Sequence, residues 1–431
     1  MNPQAQALND IIFQINPVVF DLLSQKGRNI FFPLKGILGQ TADAKGSKIN
    51  ATIGAAIEDD GSPMRLKVIE DKLNIDPALA FPYAPSFGRP DLRAKWQEMI
   101  YRKNPSLAGT VLSLPVVTNA LTHGISMVGY LFLNDCDTVL SPNLFWGNYT
   151  LTLSHAYGAS ISTFNLFKDG GFDLDAFRSK LNEGGIGKKV LILNFPNNPS
   201  GYTPTNEEMV SIVDIIKEAA EAGNKFVVVT DDAYFGLVFE DHIAKESIFA
   251  RLSQLHENVL AVKVDGATKE DYVWGFRVGF ITYGIKGGTT ELYSALEQKT
   301  AGAIRGNISN ASNLSQSLLL QAFNSNDYAD QKARKAAILQ SRYDAVKAAL
   351  LETKYHAYFK PLPFNSGYFM CIKLADGING EALRSLLIKK YSIGVINMNN
   401  IIRVAYSAVP EADVKSLFEG LYQACKELVR R

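Results

Sequence analysis

The chain has 431 residues, of which 47% are hydrophobic and 20% charged, and its formal net charge is +1. This length predicts a large core divided between two domains. The balanced charge gives no electrostatic footprint for nucleic acid or an anionic membrane surface. Three scattered cysteines predict a reducing, cytoplasmic location. No run approaches the ~20 apolar residues that span a bilayer, no signal peptide is evident, and histidines without ligand spacing predict no metal site.

The first 25 residues are predicted to form an amphipathic arm that packs on the body of the protein or on a partner subunit. Their apolar side chains recur at helical spacing, at Leu8, Ile11, Ile12, Ile15 and Val18. Farther along the chain an apolar stretch ends at Gly54. The missing side chain there allows either the close approach of a ligand or a plain turn.

Two turns in the next part of the chain open helices. The turn after Tyr83 leads into a predicted helix that ends near Lys103, with Pro90 in its first turn. A predicted strand over 111–118 is followed by a short turn and an apolar helix over 125–133. Free N–H groups at the start of that second helix would form a general phosphate site.

Strands and helices alternate through the middle of the chain. Buried strands are predicted over 188–195 and 225–230, and the helix between them begins with a capping box at Thr205. Such alternation predicts a mostly parallel sheet covered by helices on both faces, with ligands bound at the carboxyl ends of the strands. Asn198 and Asp231 both follow the end of a predicted strand and are therefore candidates for a site.

Two other residues between predicted strands are candidates for contact with a cofactor. Trp146, in an aromatic turn after a strand, either covers a flat ring or belongs to the core. Lys269 lies on a predicted loop between two apolar strands, with Arg277 eight residues later. A partly desolvated amine near a fixed cation suits attack on a carbonyl group, although an ordinary surface lysine would give the same local pattern.

The last part of the chain predicts a smaller α+β domain. Its pattern indicates an interrupted helix, two short strands and a closing helix, at 314–351, 367–373, 401–406 and from 411 onward. We therefore predict an N-terminal arm, a two-segment small domain and a large domain, at 1–25, at 26–65 with 326–431, and at 66–325.

Three motifs follow these strands in a fixed order. They are Asn-Asn-Pro-Ser-Gly at 197–201, Asp-Asp-Ala-Tyr at 231–234, and Lys269 with Arg277. Together they resemble the class I/II aminotransferases of the pyridoxal phosphate fold-type I superfamily, nearest to the aspartate aminotransferase-like branch. The resemblance implies an α/β fold with a mostly parallel sheet between helices in the large domain, a smaller α+β domain, and pyridoxal 5'-phosphate as cofactor.

The resemblance implies how charged residues act on the cofactor. Lys269 forms the Schiff base and moves the substrate proton, whereas its rival Lys263 lies within a strand. Asp231 pairs with the ring nitrogen and keeps it protonated, so that the ring accepts electrons from the substrate. The neighbouring Asp232 is expected to point elsewhere.

The remaining ring and phosphate contacts follow from the same resemblance. Tyr234 and Asn198 reach the phenolic oxygen, and Trp146 stacks on the ring. Arg277 binds the phosphate, to which its planar fork is suited. Backbone N–H groups of a turn add to this, at Asn119, Ala120 and Leu121 with Thr122. Tyr83 would reach the phosphate of a neighbouring subunit, which implies a homodimer with shared active sites.

The resemblance also implies substrate contacts. Arg403 would clamp the α-carboxylate in a bidentate pair, near Gly54, Asn198 and Trp146. Arg305 resembles the arginine that binds a distal carboxylate in aspartate aminotransferases, but Pro-Pro is absent after Asn310, and a surface position is the alternative. The chain departs from the family twice more: Gly266 stands where serine is usual, and Ala120 stands where glycine is common.

The function implied is transfer of an amino group between an amino acid and a 2-oxo acid in two half-reactions. Aspartate or an aromatic amino acid is expected as donor, with 2-oxoglutarate as acceptor. A carbon–sulfur β-lyase of the same fold is an alternative that would keep the three residues Lys269, Asp231 and Arg403. A non-catalytic sensor with this fold is a third hypothesis, which the intact Lys269 and Asp231 disfavour.

Overall fold

A computed structural model describes residues 2–33 and 36–429, without the side chain of Leu38. The helices in these residues are α1 (Pro3–Ile15), α2 (Pro17–Leu22), α3 (Gln25–Asn29), α4 (Ile37–Asp43), α5 (Lys67–Glu70), α6 (Pro77–Ala80), α7 (Pro90–Lys103), α8 (Ala120–Phe132), α9 (Leu174–Asn182), α10 (Asn206–Glu221), α11 (Ile248–Leu252), α12 (Ala267–Glu270), α13 (Thr290–Asn307), α14 (Asn313–Phe323), α15 (Tyr328–Ala349), α16 (Gly380–Leu386) and α17 (Glu411–Val429). None of these described helices is both long and apolar enough to cross a membrane.

The strands form one large sheet and several small ones. They are β1 (Ile49–Asn50), β2 (Val116–Thr118), β3 (Thr138–Pro142), β4 (Ser160–Phe164), β5 (Phe167–Lys168), β6 (Gly171–Phe172), β7 (Lys188–Asn194), β8 (Lys225–Asp231), β9 (Val259–Asp265), β10 (Gly279–Gly284), β11 (Phe359–Pro361), β12 (Phe369–Leu374), β13 (Ile393–Gly394), β14 (Ile396–Met398) and β15 (Ile401–Ala405). The large sheet has the order β2-β10-β9-β8-β7-β3-β4. Only β10 runs antiparallel to its neighbours there, which confirms a mostly parallel sheet.

Alternate residues of the central strands enter two different cores. Leu191 of β7 belongs to a cluster with Ile212 of α10, whereas Ile192 belongs to a cluster with Ile125 of α8. Successive side chains of a strand point to opposite faces of the sheet. Helices therefore cover both faces, and the strands read as continuous apolar runs because neither face meets water.

The helix after β7 begins where its sequence predicts. The Thr205 hydroxyl accepts a hydrogen bond from the backbone N–H of Glu208 at 3.1 Å. The Glu208 carboxylate accepts one from the backbone N–H of Thr205 at 2.8 Å. This reciprocal pair is the predicted capping box, and it fixes the direction in which α10 leaves the loop at 196–201.

A second, antiparallel sheet follows α15. Its order is β11-β12-β15-β14, and its residues share a core with α15 and α17. The early strand β1 pairs in parallel with β13, Ile49 opposite Ile393, and so attaches residues near 50 to this part of the chain. The three-part division into arm, small domain and large domain stays a prediction.

The N-terminal residues form α1, α2 and α3. The Asn9 side chain donates a hydrogen bond to the backbone carbonyl of Arg28 at 2.9 Å, which packs α1 against α3. Several apolar side chains of these helices remain exposed, among them Leu8, Ile11, Ile15, Val18 and Leu22. An amphipathic segment is therefore present. Whether its exposed apolar side chains pack on the body of the protein or on a partner subunit stays a prediction.

Three boundaries differ from the sequence-based expectation. β2 starts at Val116 rather than near 111, because Pro115 has no N–H with which to join a strand ladder. α8 starts at Ala120, five residues before the apolar periodicity becomes clear. Lys269 lies on the short helix α12 rather than on a loop, since four residues are too few to produce a helical pattern in the sequence.

Candidate active site

A cavity of about 1040 Å³ opens at the carboxyl ends of the central strands. Its wall includes Asn194 at the end of β7, Asp231 at the end of β8, and Lys269 on α12 after β9. Asn194 and Asp231 are register partners on adjacent parallel strands, so the sheet itself sets their separation. Arg403 of β15 reaches the same cavity from the second sheet.

Lys269 is the amine of this cavity. Burial lowers the pKa of Lys269 to about 8, with Asp231 working against the shift and Arg277 adding to it. Its Nζ lies 5.3 Å from the centre of the Tyr234 ring. An amine with a pKa near neutrality spends an appreciable fraction of the time unprotonated, which is the form that attacks a carbonyl carbon.

Asp231 is the buried anion facing that amine. Its Oδ2 accepts a hydrogen bond from the Tyr149 hydroxyl at 2.5 Å, and its Oδ1 accepts one from the backbone N–H of Ala233 at 3.2 Å. Burial raises the pKa of Asp231 to about 6, although the Tyr149 bond works in the opposite direction. These two hydrogen bonds orient the carboxylate, and it is ionised at neutral pH.

Tyr149 is a site residue that the sequence analysis missed. Its backbone N–H donates to the Trp146 carbonyl at 2.9 Å, so that Tyr149 lies one turn after Trp146. The two rings meet edge to face with centroids 5.7 Å apart. One side chain therefore contacts both the aromatic wall and the buried anion. The spacing of three residues after Trp146 was the available signal, but a tyrosine in an aromatic turn reads as ordinary core.

Asn194 is the second residue that sequence reasoning missed, and it links the strand ends to Arg403. Its amide donates to the backbone carbonyl of Asp231 at 2.7 Å and accepts from the backbone N–H of Asn198 at 2.7 Å. The Asn198 oxygen lies 3.4 Å from Nη1 of Arg403. Position 194 falls inside an apolar strand pattern, which concealed its polar role.

Arg403 is held in place but retains a free donor. Its Nη2 donates to the Thr52 carbonyl at 3.0 Å, and its guanidinium lies 4.4 Å from the centre of the Phe369 ring. Its Nε is buried and has no hydrogen-bond partner. A buried guanidinium with unused N–H groups is suited to a carboxylate, which accepts two parallel hydrogen bonds.

Another part of the cavity wall suits a phosphate. Arg277 lines it together with the first turn of α8, at Ala120, Leu121 and Thr122. The hydroxyl of Thr268 lies there, buried and without a partner. Ala120 and Arg277 both adopt left-handed backbone conformations, with φ of 62° and 55°. Such strained conformations concentrate at functional sites, where the surrounding structure holds them.

The structure explains why serine is missing three residues before Lys269. A Cβ atom added at Gly266 would lie 2.6 Å from the Val278 carbonyl oxygen and 2.8 Å from the Gly279 Cα. The close packing of this segment on β10 therefore excludes any side chain at 266. The unpaired hydroxyl on this segment is that of Thr268, one residue before the lysine.

Three residues expected in the site lie elsewhere on the protomer. The backbone N–H of Asn119, expected at the phosphate, instead donates to Nδ1 of His123 at 3.0 Å, and Asn119 is exposed. Arg305 is exposed and donates to the Ser309 hydroxyl at 2.8 Å. Tyr83 is 91% exposed. The contact of Tyr83 with a neighbouring subunit and the binding of a distal carboxylate by Arg305 stay predictions. The Asn119 N–H, which was assigned to the phosphate, already has a partner in His123.

The remaining expected residues border the cavity. They are Gly54, Trp146, Asn198, Tyr234 and Arg277, with Lys269, Asp231 and Arg403. Lys263 does not: it is fully buried in the sheet and forms an ion pair with Asp232. Asp232 also accepts a hydrogen bond from the Ser247 hydroxyl at 2.6 Å, so that it points away from the cavity as expected.

The residues present fit the planar, phosphate-bearing aldehyde expected from the sequence. The cavity wall carries the cation of Arg277, the buried carboxylate of Asp231 and the amine of Lys269, which lies beside the Tyr234 ring. Two buried polar atoms of its described residues, Thr268 Oγ1 and Arg403 Nε, have no hydrogen-bond partner, and a ligand would satisfy them. Among the described residues no group of three or more His, Cys, Asp or Glu side chains is arranged to hold a metal ion.

Comparison with known proteins gives a family match and several similar aminotransferases. A family model described as aminotransferase class I and II matches residues 63–421. An aspartate aminotransferase from Bacillus sp. (strain YM-2) is 24% identical over 274 residues, which are 61% of this chain and 62% of that relative. The chain thus spans somewhat less than two thirds of the length of this curated relative.

Solved structures match over a greater length. An aminotransferase from Anaerococcus prevotii DSM 20548 superposes with a TM-score of 0.82 at 24% identity, covering 93% of this chain and 98% of that one. A kynurenine aminotransferase from Pyrococcus horikoshii, solved in complex with PMP, KYN and KYA, superposes with a TM-score of 0.78 at 17% identity, covering 96% and 99%. At these identities the likeness establishes the fold.

Proposed function

The chain belongs to the class I and II aminotransferase family, and on this basis we propose that it transfers an amino group between an amino acid and a 2-oxo acid with the help of pyridoxal phosphate. Its fold is that of the fold-type I pyridoxal phosphate enzymes. Members of the family generally use this cofactor. One observation carries the proposal: Lys269, Asp231, Arg277 and Arg403 line a single cavity.

The residues of the cavity would hold the cofactor by its two ends. Pyridoxal phosphate, when bound, supplies an aldehyde that condenses with amines and a protonated ring that takes up electrons from a substrate carbon. Arg277 and the start of α8 would bind the phosphate, while Asp231 would pair with the ring nitrogen. Tyr149 would keep Asp231 oriented, and Trp146 would cover one face of the ring.

Lys269 would act both as the cofactor's anchor and as a proton carrier. Its pKa of about 8 allows the amine to accept a proton and to release it again near neutral pH. Its position on α12 keeps Nζ beside the Tyr234 ring, within the cavity. The same amine would remove the proton from the substrate α-carbon in one half-reaction and return it to a different carbon, which is how the amino group changes carrier.

Arg403 would orient the substrate by its α-carboxylate. The guanidinium is fixed by Thr52 and by the Phe369 ring, so the carboxylate would be held in one direction relative to Lys269. Both substrates of a ping-pong exchange carry this carboxylate. One arginine can therefore serve the incoming amino acid and the incoming 2-oxo acid in turn.

The substrate side chain is expected to be that of aspartate or of an aromatic amino acid, with 2-oxoglutarate as an acceptor. Among the described residues that line the cavity, the lysine and arginine side chains are Lys269, Arg277 and Arg403. Each has an assigned role, so a distal carboxylate would need Arg305 from a second subunit. We therefore propose a homodimer in which Tyr83 and Arg305 complete the partner's site. A cytoplasmic location stays a prediction.

The test is an absorbance measurement on the purified protein loaded with pyridoxal phosphate. Single amino acids should abolish the visible band of the lysine-bound cofactor, and a 2-oxo acid should restore it, while Lys269→Ala should lack the band. A band that no amino acid changes would overturn the proposal in favour of a sensor. Release of pyruvate and ammonia from cystathionine without any oxo acid would overturn it in favour of a β-lyase.

A further inference from the structure

The segment that carries Lys269 cannot hold its own shape. Helix α12 has four residues, far fewer than an isolated helix needs to be stable in water. Tyr272, just after it, adopts a left-handed backbone conformation with φ of 57°. A bulky residue in that region is strained, and such strain persists only where the surroundings impose it. Contacts outside the segment must therefore fix Lys269.

Two acidic side chains that follow Lys269 supply such contacts. Glu270 is almost fully buried, and its carboxylate accepts hydrogen bonds from Lys103 at 2.8 Å and from Lys332 at 2.6 Å. Asp271, also buried, lies 3.1 Å from the Lys332 amine and accepts from the Tyr328 hydroxyl at 2.5 Å. We name these four charged residues, Lys103, Glu270, Asp271 and Lys332, the anchor cluster.

The charges of the anchor cluster balance in its buried position. Burial opposes ionisation of Glu270, but the two lysines outweigh it and lower its pKa to about 2. Burial lowers the pKa of Lys332, but the carboxylates of Asp271 and Glu270 outweigh burial and raise this pKa well above its usual value. Removing one charge alone would leave an uncompensated ion in the interior, which is costly. The cluster therefore fixes the carboxylates, and with them the backbone that bears Lys269.

One member of the cluster belongs to the long helix α15. Lys332 lies in its second turn, and Arg342 lies ten residues later, about 15 Å along the axis. Nη1 of Arg342 donates to the Ser407 carbonyl at 2.6 Å, four residues after Arg403. A continuous helix therefore runs from the segment of Lys269 to the strand end that carries the carboxylate-binding arginine.

We propose that Lys332 is a positioning residue for Lys269, acting through Glu270 and Asp271 to hold the lysine at a fixed place relative to Arg403. The inference rests on the proposed function, since it concerns the amine that would bond to the cofactor. Lys332 does not line the cavity. Its proposed role is to fix the position of the Lys269 amine relative to the cofactor aldehyde. A misplacement of about 1 Å can slow a reaction by up to about a hundredfold.

The test compares two probes on cofactor-free protein. Pyridoxamine phosphate has no aldehyde and cannot bond to Lys269, so its affinity reports on the cavity alone. The rate at which pyridoxal phosphate becomes covalently attached, trapped with borohydride and followed by intact mass, reports on the amine. The variant is Lys332→Met with Asp271→Asn, which removes one charge of each sign and keeps an acceptor for Tyr328.

We expect this double variant to bind pyridoxamine phosphate within about twofold of wild type and to attach pyridoxal phosphate about tenfold more slowly. Hydrogen exchange of the peptide at 266–273 should rise by a similar factor, because the segment loses its external support. The single variant Lys332→Arg, which keeps the charge, should attach pyridoxal phosphate at most of the wild-type rate. A role in general folding would change both probes together.

The matched control removes a different ion pair made by the same part of α15. Lys335 and Glu58 form an ion pair one turn along the helix, and neither is paired with Glu270 or Asp271. Lys335→Met with Glu58→Gln should leave both probes within about twofold of wild type. If the Lys332 and Asp271 variant attaches the cofactor at the wild-type rate, or loses both probes equally, the inference is overturned. If wild type binds neither probe, the proposed function fails first and the inference with it.

Discussion

Two lysines six residues apart experience opposite surroundings. Lys263 is buried in the sheet between Asp232 and Asp265, and these carboxylates raise its pKa against the effect of burial. Lys269 faces the cavity without an ion pair, and burial lowers its pKa to about 8. Both amines are desolvated. A paired carboxylate therefore keeps a buried lysine charged, whereas Lys269, without such a pair, suits the nucleophilic role that we propose for it.

The same contrast holds for the regions around them. Beneath the cavity, charged groups are satisfied by neighbours: Asp265 accepts from the Trp96 indole at 3.0 Å, and Asp232 from Ser247. At the cavity wall, Thr268 and Arg403 keep buried polar atoms without partners. The buried charges beneath the cavity are paired, while the cavity leaves hydrogen-bonding capacity for a ligand. Substitutions in the two regions should therefore fail in different ways.

The largest effect is expected from Lys269→Ala. Covalent attachment of pyridoxal phosphate should be lost, and amino transfer should fall by about 10⁴-fold, because no other lysine among the described residues lines the cavity to carry the proton. The melting temperature should stay close to that of wild type, since no ion pair is broken. A marked loss of stability, or a residual rate within tenfold of wild type, would show that the contrast between the two lysines is wrong.

Lys263→Met should produce the opposite result. It leaves two buried carboxylates without their cation, which we expect to cost about 3–5 kcal/mol of unfolding free energy. Urea denaturation measures this change. Under conditions where the variant remains folded, Lys269 should still bond to the cofactor. An unchanged denaturation midpoint would mean that water or protonation of Asp232 replaces the lysine without cost.

Tyr149→Phe should move the pH at which Asp231 becomes available. The Tyr149 hydrogen bond holds the Asp231 pKa down, near 6, so its removal raises this pKa. Because the ring nitrogen would pair with the ionised carboxylate, affinity for pyridoxamine phosphate should fall as the pH decreases. In Tyr149→Phe the pH midpoint of this fall should lie about one unit higher than in wild type. Calorimetric titrations between pH 5 and 8 measure this, and an unshifted midpoint would exclude Tyr149 from this role.

Thr268→Val should have the smallest effect. Loss of one hydroxyl from the phosphate end should weaken pyridoxal phosphate binding by about fivefold to tenfold and leave pyridoxal, which lacks the phosphate, unaffected. Thr282 is a matched control because its hydroxyl is also buried without a partner but lies in β10 away from the cavity wall. Equal effects of Thr268→Val and Thr282→Val would contradict the assignment.

Much of this fold can be read from the sequence because its signals are local. The apolar run of β7, the capping box at Thr205 and the paired helices α14 and α15 follow from hydrophobic pattern and turn chemistry. Residues placed at strand ends, such as Asp231 and Asn198, could be proposed for the same reason. Parallel strands end at one edge of a sheet and so bring these residues together.

The missed residues depend on contacts that no local pattern contains. Tyr149 and Asn194 look like core positions until the strand ends bring Asp231 beside them. Gly266 looks like the loss of a functional serine until the packing of Val278 and Gly279 leaves no space for a side chain. The role of each of these three residues depends on a contact between segments that are remote in sequence, and hydrophobic periodicity carries no information about such contacts.

The hydrogen bond from Arg403 to the Thr52 carbonyl has a consequence for biosynthesis. Its two residues are separated by 351 positions along the chain. At about 5–20 residues per second, a ribosome needs roughly 20–70 s to make the intervening polypeptide. The part of the cavity that contains Thr52 therefore cannot form this contact until the strand that carries Arg403 has been synthesised. A nascent chain halted before residue 403 would contain Lys269 but lack the arginine that we propose binds the substrate carboxylate.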